Sequence, residues 1–340
     1  MNQDKILSVV VPSYNIAKYI DRLMDSLIRG TGNQTGQVEI LLVNDGSKDE
    51  TSALARRYEE QFPGCVRLID KENGGHGSAI NRGIREASGA YIRALDGDDW
   101  VDPEAFSALI AFLASQDIPA DMVICDYNTV NEKTGEIRRT SYGFLAADRL
   151  LKPAEVLDPK VMYPYHAVVY RTELLRECGL LLDEHSFYVD TEYVLFPVPS
   201  VQSFRHFPQP VYQYRIGGED QSVSRASYIR NRKQLKRVLL HLCQFAEKEK
   251  NNMSPEAYRY ITNSVSWVHY TLFEALRIMD DHRQAAAELR GMDYSIFAVS
   301  KDMYRRARPV VKAARLLGYS RLGTGISDLR NRFRRYQGDV

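Results

Sequence analysis

The chain has 340 residues, of which 44% are apolar, and its formal net charge is +1. This composition supports a hydrophobic core and excludes a disordered chain, and the near-neutral charge gives no reason to expect nucleic acid as a partner. The length suits one catalytic domain with an appended piece. The cysteines form no CxxC pair, which favours buried, reduced thiols over a zinc site.

The N-terminal residues lead directly into an apolar run, without a basic region followed by a long apolar stretch. No window of about 18 apolar residues occurs further along the chain. We therefore expect neither a signal peptide nor a transmembrane helix. The expected location is the cytoplasm.

The first part of the chain alternates between strand and helix patterns. Apolar, β-branched runs typical of buried parallel strands occupy residues 6–11, 38–43, 66–69 and 90–95. Helical spacing of apolar residues is found at residues 16–29, 49–61 and 78–87. This order predicts a doubly wound α/β sheet with right-handed crossovers.

The rest of the chain changes character twice. Shorter strand patterns at residues 122–127, 167–171, 202–204 and 211–214 predict a mixed extension of the sheet. From about residue 225 the apolar spacing becomes helical. We therefore predict a catalytic domain at 1–216 and a helical C-terminal region at 217–340.

Ligands of doubly wound sheets bind outside the carboxyl ends of the strands. Four loops follow the predicted strands there, at residues 12–15, 44–47, 71–77 and 96–99. All four are rich in Gly, Asn, Asp and Ser, and turn chemistry explains part of this composition. It does not explain why carboxylates gather after two of the strands.

The last of these loops holds Asp96, Asp98 and Asp99 within four residues. Close carboxylates repel each other, and a hard divalent cation such as Mg²⁺ or Mn²⁺ relieves that repulsion. The alternative is an acidic turn that caps a helix beginning near Pro103. Capping requires only one carboxylate, so the cluster favours a metal with bound phosphates.

Four short motifs occur in order along the same region. They are VVVPSYN at residues 9–15, VNDGSKD at 43–49, NGG at 73–75 and LDGDD at 95–99. With these motifs the chain resembles glycosyltransferase family 2, firmly over residues 5–115 and more thinly to about residue 225. The resemblance implies the GT-A fold, here a doubly wound mixed sheet with a helical C-terminal extension, and inverting transfer.

The resemblance also implies the roles of the nucleotide-binding residues. The loop with Pro12, Tyr14 and Asn15 would cradle the nucleotide, with the Tyr14 ring on the base. Asp45 would hydrogen-bond that base, which points to uracil and a UDP-sugar. Asp96 would contact the donor ribose.

For the metal and the diphosphate, the resemblance implies Mn²⁺ or Mg²⁺ on Asp98, with Asp99 sharing the ligand role. Asn73 and Asn81 are the further nucleotide-binding candidates. The segment departs from the commonest family pattern, in which an arginine precedes the asparagine, because Arg82 follows Asn81 here. His76 and Ser78 are therefore alternative contacts to the diphosphate, and His76 is equally explained as a solvated turn residue.

Displacement at the sugar carbon requires a base that takes the proton of the acceptor hydroxyl. Many family members carry a Glu-Asp pair at the start of a later helix, and here Val189 replaces the glutamate. Asp190 is the candidate catalytic base and Glu192 the alternative. Asp190 would otherwise cap a helix at 191–196, and a helix N-terminus is expected to lower its pKa.

Together these residues predict a metal-dependent glycosyltransferase that serves cell-surface polysaccharide or glycolipid synthesis, with a saccharide or lipid-linked acceptor. The first alternative is a nucleotide-sugar-binding protein without transfer activity, because the glutamate of the pair is missing. A nucleotidyltransferase is disfavoured, since such enzymes carry a glycine-rich loop with a lysine or arginine after the first strand. Gln221 and Ser222 lie in a polar segment that either closes over the donor or links the two parts of the chain.

The C-terminal segment is basic. Residues 301–340 contain eleven Lys and Arg against three Asp, with apolar residues interspersed. Such a segment either binds the inner face of an anionic membrane or forms a solvated helix. No recognition motif accompanies the charge, so we expect no nucleic acid partner.

Overall fold

The structure is a computed structural model that describes residues 5–115, 118–218, 225–277 and 279–305. The chain divides into two compact units. The first comprises Met1–Lys152 and Tyr163–Gly218, and the second comprises Pro153–Met162 and Glu219–Val340. The sheet and the candidate site belong to the first unit.

The strands lie in one mixed sheet. In chain order they are β1 (Leu7–Ser13), β2 (Val38–Asp45), β3 (Val66–Lys71), β4 (Tyr91–Ala94), β5 (Trp100–Val101), β6 (Met122–Asn131), β7 (Ile137–Thr140), β8 (Val168–Arg171) and β9 (Phe204–Ile216). Their spatial order is β3-β2-β1-β4-β8-β6-β9-β5, with β7 paired to β6. Strands β1 to β4 run parallel, whereas β8 lies antiparallel between β4 and β6.

The helices of the first unit connect these strands. They are α1 (Ile20–Thr31), α2 (Thr51–Gln61), α3 (His76–Glu86), α4 (Pro103–Ala114), α6 (Thr172–Glu177) and α7 (Asp190–Leu195). The second unit contains α5 (Pro153–Val156), α8 (Arg225–Arg230), α9 (Arg232–Glu249), α10 (Pro255–Arg277) and α11 (His282–Val299). Short 3-10 helices span Gly32–Gln37, Tyr165–Ala167 and Val198–Ser200.

Burial explains why the first strands form the centre of the sheet. Every residue of β1 and of β2 is buried, as expected for parallel strands covered on both faces. Helix α1 packs its apolar face on α4, and both contribute to the main hydrophobic core. The carboxyl ends of β1, β2 and β4 therefore meet at one edge of the sheet.

The predicted doubly wound sheet with a helical C-terminal region is confirmed. One prediction about elements is wrong: residues 202–204 and 211–214 do not form two strands. Residues 204 and 211–214 belong to the single strand β9, which pairs with β6 from Phe204 to Ile216, and residues 202–203 precede it. Register shifts in this pairing accommodate Pro208 and Pro210, which cannot donate to the ladder. Strands β5 and β7 are too short to give a pattern.

The second unit is helical in its described part. On α9 a buried stripe comprises Leu235, Val238, Leu239 and Leu242, as the spacing predicts. Within the described residues no helix combines the length and the apolar character that a membrane span requires. The segment with Gln221 and Ser222 and the basic residues from 306 onward lie outside the described residues.

Candidate active site

Residues 96–99, here called the acidic turn, follow β4 at the centre of the sheet. Gly97 packs closely against the first loop, because a Cβ there would lie 2.8 Å from two atoms of Ile16 and 3.2 Å from the Pro12 carbonyl oxygen. The side chains of Asp96 and Asp98 remain about one-third exposed, whereas Asp99 is buried. The turn therefore presents two carboxylates to solvent and one to the protein.

Asp99 ties the turn to β9. Its Oδ2 accepts a hydrogen bond from the Tyr212 hydroxyl at 2.6 Å, and its Oδ1 accepts one from the Arg215 backbone N–H at 2.7 Å. The Tyr212 oxygen in turn accepts the Asp96 N–H at 3.1 Å. Burial, with the charges of Asp98 and Asp96, raises the pKa of Asp99 well above its usual range.

Asp98 contacts a buried arginine. Nη2 of Arg215 lies 2.6 Å from Oδ2 of Asp98, and Nη1 lies 2.8 Å from Oε2 of Glu132. Burial and the charge of Asp96 raise the pKa of Asp98, although the hydrogen bond from Arg215 opposes this change.

Asp96 contacts His76, the first residue of α3. Nε2 of His76 lies 2.9 Å from Oδ1 of Asp96. Burial lowers the pKa of His76, but the hydrogen bond to Asp96 and the charges of Asp96, Asp190 and Asp98 outweigh it, so the pKa is raised. The structure thus places His76 at the start of α3 in contact with the acidic turn, with about one-third of its side chain exposed.

Asp190 is the first residue of α7. Although the residue is exposed, partial desolvation by the surrounding protein raises its pKa, the charge of His76 lowers it, and the charge of Asp96 raises it again. The backbone N–H groups at the helix start lower the pKa, as expected, but desolvation has the larger effect and the net pKa is raised. The capping position is Val189, and no side chain caps the helix. Asp190 therefore lies close enough to His76 and Asp96 for their charges to change its pKa.

Glu192, the alternative base, lies inside the protein. Its side chain is buried, and its Oε2 accepts the Asp183 backbone N–H at 2.8 Å. This bond gives Glu192 a role in holding the segment before α7.

The helix that follows the acidic turn is α4, and its capping residue is Asp102, whose side chain accepts the N–H groups of Glu104 and Ala105. Capping of this helix therefore does not explain the carboxylates of the acidic turn.

The nucleotide candidates at the ends of β1 and β2 are tied to each other. Asn15, with φ of 55°, accepts the Lys48 N–H on its Oδ1 at 2.8 Å and donates its own N–H to Ser47 at 3.0 Å. The neighbouring Tyr14 ring is 47% exposed, as packing on a nucleotide base requires. Pro12 is buried in β1.

Asp45 organises the next loop. Its Oδ1 accepts hydrogen bonds from Lys71 Nζ at 2.6 Å and from the Gly74 N–H at 2.9 Å, and its Oδ2 accepts the Gly75 N–H at 2.7 Å. Asn73 donates its side-chain amide to the Asp45 carbonyl at 2.8 Å. The contacts of these two residues thus shape the loop that precedes α3.

Asn81 makes its hydrogen bonds inside the first unit and with none of the site carboxylates. It is buried in α3, where its amide donates to the Leu182 carbonyl and its Oδ1 accepts the Leu182 N–H, both at 2.9 Å. The amide thus braces the segment that leads to α7. The structure brings together Asp96, Asp98, Asp99 and Asp190, but not Asn81.

Sequence reasoning missed the aromatic and basic residues that the site receives from β9, from β4 and from the 3-10 helix Tyr165–Ala167. Tyr212 and Arg215 hold the turn, and the Tyr165 ring lies 5.8 Å from that of His76. Arg93 is fully buried and donates to the His166 carbonyl at 2.8 Å. The sequence offered one indication of these residues, which was Arg93 itself, because a fully buried strand such as β4 does not ordinarily contain an arginine.

The site also has the ligands that a divalent cation takes. Asp96 and Asp98 offer hard oxygen atoms, and their mutual repulsion contributes to the raised pKa of Asp98. A cation relieves such repulsion, so this pair fits Mg²⁺ or Mn²⁺. Both oxygens of Asp99 already accept hydrogen bonds from β9.

This fold and this site together define a glycosyltransferase of the GT-A type. The model of glycosyl transferase family 2 matches residues 8–179, which is more than half of the chain. The chain therefore belongs to glycosyl transferase family 2.

Two curated relatives are glycosyltransferases by description. YibD of Escherichia coli (strain K12), an uncharacterized glycosyltransferase, is 26% identical over 339 residues, which cover 95% of this chain and 92% of YibD. EpsJ of Bacillus subtilis (strain 168), also uncharacterized, is 31% identical over 219 residues, which cover 62% of this chain and 61% of EpsJ. The chain thus spans about three-fifths of EpsJ.

Solved structures support the fold. TarS 1-349 of S. aureus superposes with a TM-score of 0.62 at 17% identity, covering 93% of each chain. The same protein in complex with UDP-GlcNAc gives a TM-score of 0.58. PcManGT, a mannosyltransferase from Pyrobaculum calidifontis in complex with GDP-Man and Mn²⁺, gives 0.50 at 19% identity, covering 92% and 87%.

Proposed function

We propose that the protein is an inverting transferase that moves a sugar from a UDP-sugar to an acceptor hydroxyl. The observation that carries the proposal is the grouping of Asp96, Asp98, His76 and Asp190 at the carboxyl edge of the sheet. Family membership supports transfer. The complex of TarS with UDP-GlcNAc supports a uridine nucleotide as the donor.

The donor would lie across the loops that follow β1 and β2. Tyr14 packs on the base, with Pro12 and Asn15 shaping the loop beneath it. The contacts of Asp45 and Asn73 hold the next loop, while Asp96 meets the ribose. For Asn81, whose amide is engaged by Leu182, we propose a bracing role in place of a direct contact.

Asp98, with Asp96, would hold Mn²⁺ or Mg²⁺, which supplies positive charge to the leaving diphosphate when bound. The Mn²⁺ in the PcManGT complex supports this assignment. For Asp99 we propose a positioning role, because both of its oxygens accept hydrogen bonds from β9.

Asp190 would act as the catalytic base. Its carboxylate takes the proton of the acceptor hydroxyl while that oxygen attacks the sugar carbon from the side opposite the diphosphate. A single displacement of this kind inverts the configuration. The raised pKa of Asp190 makes its carboxylate a stronger base than an ordinary aspartate.

We assign catalysis to residues 1–216 and propose a saccharide or lipid-linked acceptor of cell-surface polysaccharide or glycolipid synthesis. The basic residues beyond 301 support peripheral contact with the inner face of the membrane, in a protein that otherwise stays in the cytoplasm. This contact stays a prediction that vesicle sedimentation with and without anionic lipid would test.

The test is calorimetric binding of UDP-GlcNAc, UDP-glucose, UDP-galactose and GDP-mannose with Mn²⁺, with Mg²⁺ and with EDTA. Metal-dependent preference for one UDP-sugar is the expected result. A protein that binds none of these donors under any of the conditions contradicts the proposal. Binding without turnover of any donor, in the presence of acceptor glycans, would favour the alternative of a nucleotide-sugar-binding protein.

A further inference from the structure

One carboxylate of the acidic turn, that of Asp98, is paired with a side chain of the protein itself. The guanidinium of Arg215 is buried, and its Nη2 lies 2.6 Å from Oδ2 of Asp98. No separate loop carries this arginine, because residue 215 lies near the end of β9 and its backbone N–H binds the adjacent Asp99. The contact is therefore built into the sheet.

The other contacts of Arg215 would stabilise its buried positive charge if Asp98 were bound to a cation instead. Nη1 lies 2.8 Å from Oε2 of Glu132, and the guanidinium lies 4.5 Å from the centre of the Tyr19 ring. A buried cation that loses its last anionic partner is strongly disfavoured, whereas one that keeps a carboxylate and an aromatic face is not. Glu132 thus provides the second partner that Arg215 requires.

We propose that Arg215 is an internal competitor for the metal site: it holds Asp98 in the donor-free protein, and a divalent cation binds Asp98 only as the guanidinium withdraws toward Glu132. This inference rests on the proposed use of a metal at Asp98. Competition of this kind explains why a fully buried arginine contacts the acidic turn. It also makes the affinity for the metal a property of Arg215 and Glu132, neither of which is a metal ligand.

The proposal gives opposite signs for two substitutions. Arg215→Gln removes the competitor, so Mn²⁺ should bind about tenfold more tightly or better. Glu132→Gln removes the partner that receives the withdrawn guanidinium, so Mn²⁺ should bind several-fold more weakly. Both affinities are measured on the donor-free full chain by the electron paramagnetic resonance signal of free Mn²⁺, which requires no catalytic activity.

Arg22 supplies the matched control. Its Nη2 donates to the Asp98 backbone carbonyl at 3.3 Å, and its guanidinium lies 3.9 Å from the centre of the Trp100 ring. Arg22→Gln removes the same charge beside the same residue without touching the carboxylate. It should change Mn²⁺ affinity by less than about threefold.

Asp98→Asn distinguishes failure of the inference from failure of the proposed function. If Asp98→Asn abolishes Mn²⁺ binding but Arg215→Gln binds no more tightly than Arg22→Gln, the inference is wrong and the metal site stands. If neither the wild type nor Arg215→Gln binds Mn²⁺ although a UDP-sugar binds, the metal requirement and the inference are both wrong. Should Arg215→Gln fail to fold, unchanged or tighter Mn²⁺ binding by Glu132→Gln overturns the inference, because residue 132 is partly exposed and tolerates substitution.

Discussion

The two halves of the sheet build the site in different ways. In the parallel half, β1 to β4, the candidate residues lie in loops directly after the strands, and most of their contacts stay among those loops. In the mixed half, β6 to β9, the important side chains lie within the strands and reach across the sheet. The Tyr212 hydroxyl meets Asp99 over a separation of 113 residues, and Arg215 meets Asp98 over 117.

This difference suggests a division of labour. The parallel half holds the residues proposed to bind the nucleotide, and the mixed half holds the candidate base and the side chains that position the acidic turn. Substitutions in the first half should therefore change donor affinity, and substitutions in the second half should change turnover. The predictions below test that division.

The largest effect is expected for Asp190→Asn. The amide cannot accept the proton, so the turnover number should fall by about 10²- to 10⁴-fold. Donor affinity should stay within about threefold of the wild type, because Asp190 does not belong to the nucleotide loops. Turnover is measured by UDP release with acceptor present, and affinity by calorimetry.

Glu192→Gln is the control for Asp190→Asn. Since Glu192 holds the Asp183 N–H inside the protein, its loss should lower the melting temperature more than the turnover of the folded fraction. If Glu192→Gln abolished turnover in a fully folded protein while Asp190→Asn remained active, Glu192 would be the base.

The second effect is expected for Asp45→Asn in the parallel half. The substitution replaces one of the two carboxylate oxygens with an NH₂ group, which cannot accept a hydrogen bond. If it replaces Oδ1, the bonds from Lys71 and Gly74 are lost, and if it replaces Oδ2, the bond from Gly75 is lost. We expect donor affinity to fall about 10- to 100-fold, with turnover at saturating donor little changed.

Asp70→Asn is the matched control for Asp45→Asn. Asp70 lies near the end of the parallel strand β3, and its side chain bonds Asn44, Ser52 and Arg56 rather than the 73–75 loop. Its substitution should leave donor affinity unchanged. Equal losses in both variants would mean that net charge, and not loop geometry, determines donor binding.

The sequence predicts the parallel half of the sheet well, because each strand and the loop after it are determined by residues that are adjacent in the chain. Each buried run ends at a loop of turn-forming residues, so the positions of Asp45 and Asp96 follow from the strands alone. The mixed half is different, since nothing in the spacing of residues 202–216 shows that Tyr212 and Arg215 face the acidic turn. Only the pairing of β9 with β6, with its register shifts, determines that orientation.

The chemistry was predictable to a similar extent. Clustered carboxylates indicate a cation site without any structure, and the structure leaves Asp96 and Asp98 partly exposed as that interpretation requires. The net pKa of Asp190 was not predictable, because a helix start accounts only for the N–H groups that lower the pKa and not for the desolvation that outweighs them. The contact between His76 and Asp96 joins loops from two strands, and sequence alone gave no reason to prefer it.

A moderate effect is expected for Tyr212→Phe, which links the two halves. The buried Asp99 oxygen loses its hydroxyl donor, and the free energy of unfolding should fall by about 1 to 3 kcal/mol. Turnover should fall more than donor affinity, because the turn loses its position. Chemical denaturation and steady-state kinetics measure the two effects.

Tyr127→Phe serves as the comparison, since Tyr127 on β6 pairs with Tyr212 in register and its hydroxyl bonds the neutral Thr140. It should cost less than about 1 kcal/mol, because a bond to a neutral partner contributes less than one to a carboxylate. Equal losses in the two variants would show that the Tyr212 hydroxyl has no special role at the turn.

The smallest effect is a shift in pH dependence. As a base, Asp190 must be unprotonated, so kcat/KM on the acid side should rise with pH through its pKa, which desolvation places above its ordinary value. The pKa of His76 is also raised, and the charge of His76 lowers the pKa of Asp190 on this acid limb. His76→Gln should therefore move the acid limb to higher pH.

His166 makes this test specific. Burial lowers its pKa to about 3, so it is neutral across the same range and has no charge to lose. His166→Gln should leave the midpoint of the acid limb in place even if the rate itself falls. If the acid limb moves equally in both variants, repacking of the site and not the lost charge changes the pKa of Asp190. If only His76→Gln shifts the limb, the charge of a residue in the parallel half sets the pKa of the base supplied by the mixed half.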